Sequence, residues 1–252
     1  FAYNTLVNTL TANGAKGVVA NLPYITTLPH FTTVPYNPLT AKSIGKDNEA
    51  VGLATIKLLN AQLYGPLSQA LTALGAGDRI NLLSETSTSP VLIKDEKLPN
   101  LAAQLTAIFT PTLGQQNAAF YGAVFGQARQ AKSTDLLLLT TRAAIGTAPT
   151  DLDSGVGIAP PYPLNAFGIS YPLQDKHVLI PTEIDEIRVA TDAYNTIIAA
   201  AAETKGLAIV DTRGVMTRLS SGGIRFGNFT MTSSYAVGGA FSLDGIHPSP
   251  RG

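Results

Sequence analysis

Residues 181–212 read PTEIDEIRVATDAYNTIIAAAAETKGLAIVDT, and their periodicity decides the fold class. Ile184, Ile187, Ala190, Tyr194, Ile197, Ile198 and Ala201 fall at helical spacing, so they line up as one apolar stripe. Thr182 is the expected N-cap, and Glu183, Asp185 and Glu186 sit in the first turn, where the helix dipole favours anions. Lys205-Gly206 ends the helix, and Leu207-Ala208-Ile209-Val210 is a short, all-apolar run that predicts a buried strand. Helix followed by buried strand is one unit of a parallel α/β sheet.

A second such unit opens the chain. Tyr3, Leu6, Val7 and Leu10 are spaced for a helix, Asn13-Gly14 supplies its end, and Gly17-Val18-Val19-Ala20 predicts another buried strand, closed by Pro23. The tetrapeptide AYNT occurs in both helices, at 2–5 and 193–196, as expected of two helices docking on one sheet in equivalent ways.

Residues 41–180 lie between these units and are far too long to be a connection, so they form an insertion or cap subdomain. Helix is expected over 47–74 with a break at Gly65-Pro66, and again over 100–110 and 115–131. Strands are expected at 79–83 and 136–139, and 147–172 reads as a long Gly/Pro-rich loop. The resulting domain reading is 1–40 as part of the α/β core, 41–180 as the insertion, and 181–252 as the rest of the core. Within 213–243, turn signals at Ser221-Gly222-Gly223 and Gly238-Gly239 bracket one or two antiparallel strands.

With Lys+Arg and Asp+Glu both 17 and no basic cluster, no net field attracts nucleic acid or anionic lipid. Absence of cysteine removes thiol catalysis and thiolate metal sites. The three histidines show no zinc-ligand spacing, and Asp151-x-Asp153 lacks the remaining ligands of a calcium loop, so no metal or organic cofactor is expected. His177 precedes an apolar run and reads as structural. No apolar run reaches the roughly 18 residues of a membrane helix. The chain starts at Phe1, without Met, and stops just after an Asp/His loop, so it is expected to be an internal piece of a longer protein.

That loop, FSLDGIHPSPRG (241–252), carries the chemistry. Asp244 and His247 are three residues apart, Gly245 allows a tight turn between them, and Pro248 biases His247 towards an extended backbone. A carboxylate that accepts one imidazole N–H fixes the tautomer, and the other ring nitrogen then takes a proton from a hydroxyl nucleophile.

FSLDGIHPSPRG resembles the last conserved block of the SGNH/GDSL hydrolases, marked by Asp-x-x-His-Pro. YNTLVNTLTANGAKGVVANLPYITTLPHFTTVPYNPL (3–39) and the 182–247 segment resemble a group of GDSL-type lipases and esterases from Bacteroidetes-like bacteria, commonly exported lipoproteins with a large central insertion. The resemblance implies a three-layer α/β/α sandwich with a mostly parallel sheet, in which Asp244 is the triad acid and His247 the general base. It further implies an ester substrate, either lipid or acylated sugar, and places His30 and Tyr24 beside the substrate cleft. The Pro160–Tyr171 aromatic cluster is a further candidate to meet an acyl chain. Export to the cell envelope or medium is implied as well, and a lipid anchor and an outer-membrane protein partner are consistent with that group. The family's Gly-Asp-Ser nucleophile, oxyanion glycine and Gly-x-Asn-Asp blocks are missing. Gly77-Asp78-Arg79 has Arg where Ser is needed, and Ser84, Ser133 and Ser170 lack a nucleophile's setting. The nucleophile is therefore expected upstream of Phe1. Two rivals are a catalytically silent SGNH-fold envelope protein that binds or assembles, and a carbohydrate acetyl-esterase.

Overall fold

The computed structural model describes residues 2–252. In chain order it runs α1 (Ala2–Leu10), β1 (Val18–Ala20), α2 (Pro29–Thr32), α3 (Ala41–Ile44), α4 (Glu49–Leu59), α5 (Gly65–Ala73), β2 (Leu92–Lys94), α6 (Ala102–Phe125), β3 (Ala128–Gln130), β4 (Leu136–Leu137), α7 (Thr141–Ala144), β5 (Val178–Leu179), α8 (Pro181–Lys205), β6 (Ala208–Val210), α9 (Thr212–Ser221), β7 (Ile224–Phe226) and β8 (Phe229–Met231). The fold is mixed α/β with small sheets, and two compact units divide it: residues 2–33 with Pro181–Gly252, and Val34–Ile180.

In the first unit β1 and β6 pair in parallel, Val18 opposite Ala208 and Ala20 opposite Val210, and α8 packs on both. Helix α8 begins at Pro181, whose fixed φ suits the first helical position, so Thr182 lies inside the first turn and is not the cap. Gly206 at φ +61° ends it, and the Leu207 N–H closes back on the Ala202 carbonyl. The strands are not buried as their composition suggests: Val18 is 66% and Ile209 46% exposed. Leu6, Leu10, Tyr194 and Ile197 of the flanking helices are exposed too. A two-stranded sheet gives each strand only one neighbour, and each apolar side chain left in water forgoes up to roughly 1.5–3 kcal/mol of burial.

Helix α9 was not foreseen. Asp211 caps it by accepting from the Gly214 N–H, and Met216 and Leu219 bury against Met231 and Ala240. Strands β7 and β8 form the expected antiparallel hairpin, with a two-residue turn at Gly227-Asn228.

The second unit holds a larger core that includes Leu63, Leu67, Leu92, Ile93, Leu105 and Phe125. Strand β2 pairs antiparallel with β3, and on its other side Leu92 and Lys94 bond to Gly168 and Leu173. The end of the Gly/Pro-rich segment is thus a sheet neighbour, with Phe167 and Tyr171 in the core and the Tyr171 hydroxyl donating to Ser154 O. Three expectations are corrected here. Residues 79–83 are not a strand: the Gln130 side chain bonds both the Asn81 N–H and C=O and replaces the ladder. Gly65-Pro66 does not break the helix, because a π-helical turn over Asn60–Tyr64 carries it through with Gly65 N–H donating to Asn60 O. The helix expected to reach 131 stops at Phe125, and 128–130 is β3.

His177 is buried, edge-on to Phe167, and its Nδ1 accepts from the Gln174 N–H, so the neutral ring carries its proton on Nε2. Burial, and then the neighbouring Lys176 charge, hold its pKa below the ordinary histidine value, against the pull of Asp153. A folded pKa below the unfolded one means that the contribution is fully present above about pH 6.5 and is lost as pH falls towards the folded value. The melting temperature is therefore expected to fall between pH 7.5 and 5, and less steeply in His177→Asn, which keeps the acceptor and does not titrate. Equal slopes in a calorimetric pH series would remove this assignment.

Candidate active site

The 241–252 loop is built from the small cluster of Met216, Leu219, Met231 and Ala240, against which Phe241 and Leu28 also pack. Phe241 and Pro248 face each other across its base, Ser242 N–H donates to His247 O, and Ser249 N–H to Ala240 O. Ser249 Oγ adds a bond to Gly239 O. The chain therefore leaves the cluster, turns at 243–246 and returns beside itself.

Asp244 organises the turn with both carboxylate oxygens. Oδ1 accepts from Ser242 Oγ at 2.6 Å, from Ile246 N–H at 2.9 Å and from His247 N–H at 3.0 Å. Oδ2 lies 2.6 Å from His247 Nδ1. The Ser242 hydroxyl, then His247, then the two main-chain N–H groups hold the Asp244 carboxyl well below the usual carboxylate range. The group is ionised at neutral pH and accepts an N–H from Nδ1, which leaves the Nε2 lone pair facing outward. The His247 side chain is 79% exposed, and among the described residues no hydrogen bond occupies Nε2.

His30 meets the same turn from α2. Its main-chain N–H donates to Gly245 O at 3.0 Å and its ring Nδ1 lies 2.9 Å from Asp244 O. Tyr24 goes elsewhere. Its hydroxyl donates to Asp192 Oδ1 at 2.5 Å, and the Arg213 guanidinium lies 4.7 Å over its ring. The Asp192 hydrogen bond, then burial, raise the Tyr24 pKa. The structure thus joins Asp244, His247 and His30 and gives Tyr24 to a polar cluster between α8 and α9. Ser242 is the member that reading the sequence missed. It is no nucleophile here, since it donates to the carboxylate and not to the imidazole.

Among the described residues no group of three or more His, Asp or Glu gathers for a metal. The Asp153 carboxylate accepts from Lys176 and from Thr150 Oγ1. Among them, too, no helix is long and apolar enough to cross a membrane. The chain matches no protein-family model, no curated protein and no solved structure, so what this site does has to be inferred from its own geometry.

Proposed function

We propose that the protein is a carboxylic-ester hydrolase working by serine acyl transfer, with Asp244 and His247 as two members of a Ser-His-Asp triad. The observation that carries this reading is the 2.6 Å contact between Asp244 Oδ2 and His247 Nδ1, on a turn that leaves the rest of the imidazole open. The serine would lie on polypeptide outside residues 1–252. The uncovered apolar strands β1 and β6 support membership of a larger, three-layer α/β/α sandwich of the SGNH type, to which that polypeptide adds strands.

In the reaction, His247 Nε2 takes the serine proton as the hydroxyl oxygen attacks the ester carbonyl, and Asp244 stabilises the imidazolium that forms. Collapse of the tetrahedral intermediate breaks the C–O bond of the leaving alcohol, which receives the proton from Nε2. A water activated by the same nitrogen then hydrolyses the acyl-enzyme and returns the serine. Donors on the serine-bearing segment would hold the oxyanion. The substrate is an ester of a lipid or an acylated sugar, and the setting is the cell envelope or the medium.

A fluorophosphonate probe tests this on the protein as its organism makes it. Covalent labelling of one serine outside residues 1–252 is the expected result. A folded protein that takes no label would replace the enzyme by a silent binding or assembly subunit. Turnover of acetylated sugars in preference to longer acyl esters would make it a carbohydrate acetyl-esterase.

A further inference from the structure

We propose that His30 is the positioning residue of this dyad, clamping the turn that presents His247; the assignment rests on the esterase reading above. Two successive carbonyls of the turn are held by one residue 214 positions away in sequence. The His30 ring takes Asp244 O and the His30 main-chain N–H takes Gly245 O. A carbonyl only accepts, so His30 Nδ1 must carry a proton, and the neutral ring is the Nδ1–H tautomer. Neither bond touches the Asp244 carboxylate or the His247 ring, so His30 acts on the dyad through the main chain of the turn that carries it.

The approach is close because Gly245 has no side chain. Its φ is +70°, and a Cβ there would lie 2.7 Å from His30 N and 3.1 Å from His30 Cα. The His30 ring is held in turn: Phe31 meets it edge-on with centroids 5.0 Å apart, and Pro29, buried, starts the short helix that carries it. Leu28 just before α2 and Phe241 just before the turn pack on one apolar cluster, so both sides of the clamp share a foundation. The bonds within 242–247 shape the turn, and the His30 bonds brace that shape against the segment following β1.

Three variants separate this from a merely structural role. His30→Asn carries an amide N–H where Nδ1 stood, His30→Gln carries it one bond further out, and His30→Ala removes it. Main-chain hydrogen exchange at Ile246 and His247, whose N–H groups bond to Asp244 Oδ1, is expected to quicken about five- to tenfold in the Ala and Gln variants. In the Asn variant it stays within about twofold, and exchange at Val215, bonded to Asp211 O in α9, stays unchanged throughout. In a form that turns over ester, His30→Ala lowers kcat about 10- to 100-fold with KM little changed, and Asn restores it. If Ala does not fold, the Asn/Gln pair decides. Exchange in the Gln variant equal to wild type, or in the Asn variant as fast as in Gln, would overturn the role of His30 and leave the dyad standing. A wild-type ¹⁵N spectrum in which the neutral His247 ring carries its proton on Nε2 and not on Nδ1 would overturn the dyad, and the role of His30 with it.

Discussion

His247→Ala is expected to lower ester turnover by about 10⁴-fold or more in the serine-bearing protein, with the fold unchanged. On the proposed reading the imidazole takes the serine proton, and no other described side chain shares its hydrogen bond with Asp244 Oδ2. Asp244→Asn is expected to cost nearly as much, and the structure shows why. Three donors (Ser242 Oγ and the N–H groups of Ile246 and His247) hold the oxygen side of residue 244 in place. An Asn there keeps its oxygen on those donors and turns its NH₂ towards His247 Nδ1. The ring is then forced to accept at Nδ1 and to carry its proton on Nε2, the wrong tautomer for a base, at a cost of about 10⁴-fold. Because Asp244 ionises well below the usual range, its contribution is present above the ordinary carboxylate pKa and is lost only in strong acid. No limb of the rate profile above about pH 4 should therefore belong to it. Steady-state hydrolysis of a p-nitrophenyl ester checks both variants, and more than about one per cent of wild-type turnover in His247→Ala would remove the triad assignment.

Arg129→Met is expected to destabilise the Val34–Ile180 unit by about 3–5 kcal/mol. The guanidinium is buried in the sheet, with Nε 2.6 Å from Asp95 Oδ2 and a two-pronged contact to Asp135 at 2.6 and 2.8 Å. Both carboxylates also accept main-chain N–H groups, Asp95 from Lys97 and Asp135 from Lys132. Removing the arginine leaves two buried carboxylates without the guanidinium they share, which costs far more than the lost contacts. Arg129→Lys keeps the charge but not the planar fork, so its loss should be smaller yet clear. Adding Asp95→Asn and Asp135→Asn to Arg129→Met removes the stranded charges and should recover much of the stability. Urea unfolding of the whole chain measures this series, and a loss under about 1 kcal/mol in Arg129→Met would show that the carboxylates find other partners.

The most legible features were those made within a few residues. Asp244, Gly245 and His247 belong to one turn, so their spacing alone brings carboxylate and imidazole together. The end of α8 at Gly206 was legible for the same reason, and so was the β7–β8 hairpin. Helix α9 was obscured by residues that favour other states, among them Thr212, Gly214, Thr217 and Ser220. It forms because Asp211 caps it and because Met216 and Leu219 find Met231 and Ala240. Residues 79–83 carry a strand's composition, but the Gln130 side chain occupies the place of the ladder.

Sequence by itself determined the helix–strand units, the hairpin and the geometry inside the Asp244–His247 turn, because each depends on chain stereochemistry over a few residues. Only the tertiary structure decided that His30 grips that turn from 214 residues away, and that Tyr24 is drawn off to Asp192. It also decided that the apolar strands β1 and β6 stand half uncovered. Composition records which side chains prefer to leave water, but burial is a property of the neighbours that reach them, and those come from distant parts of the chain.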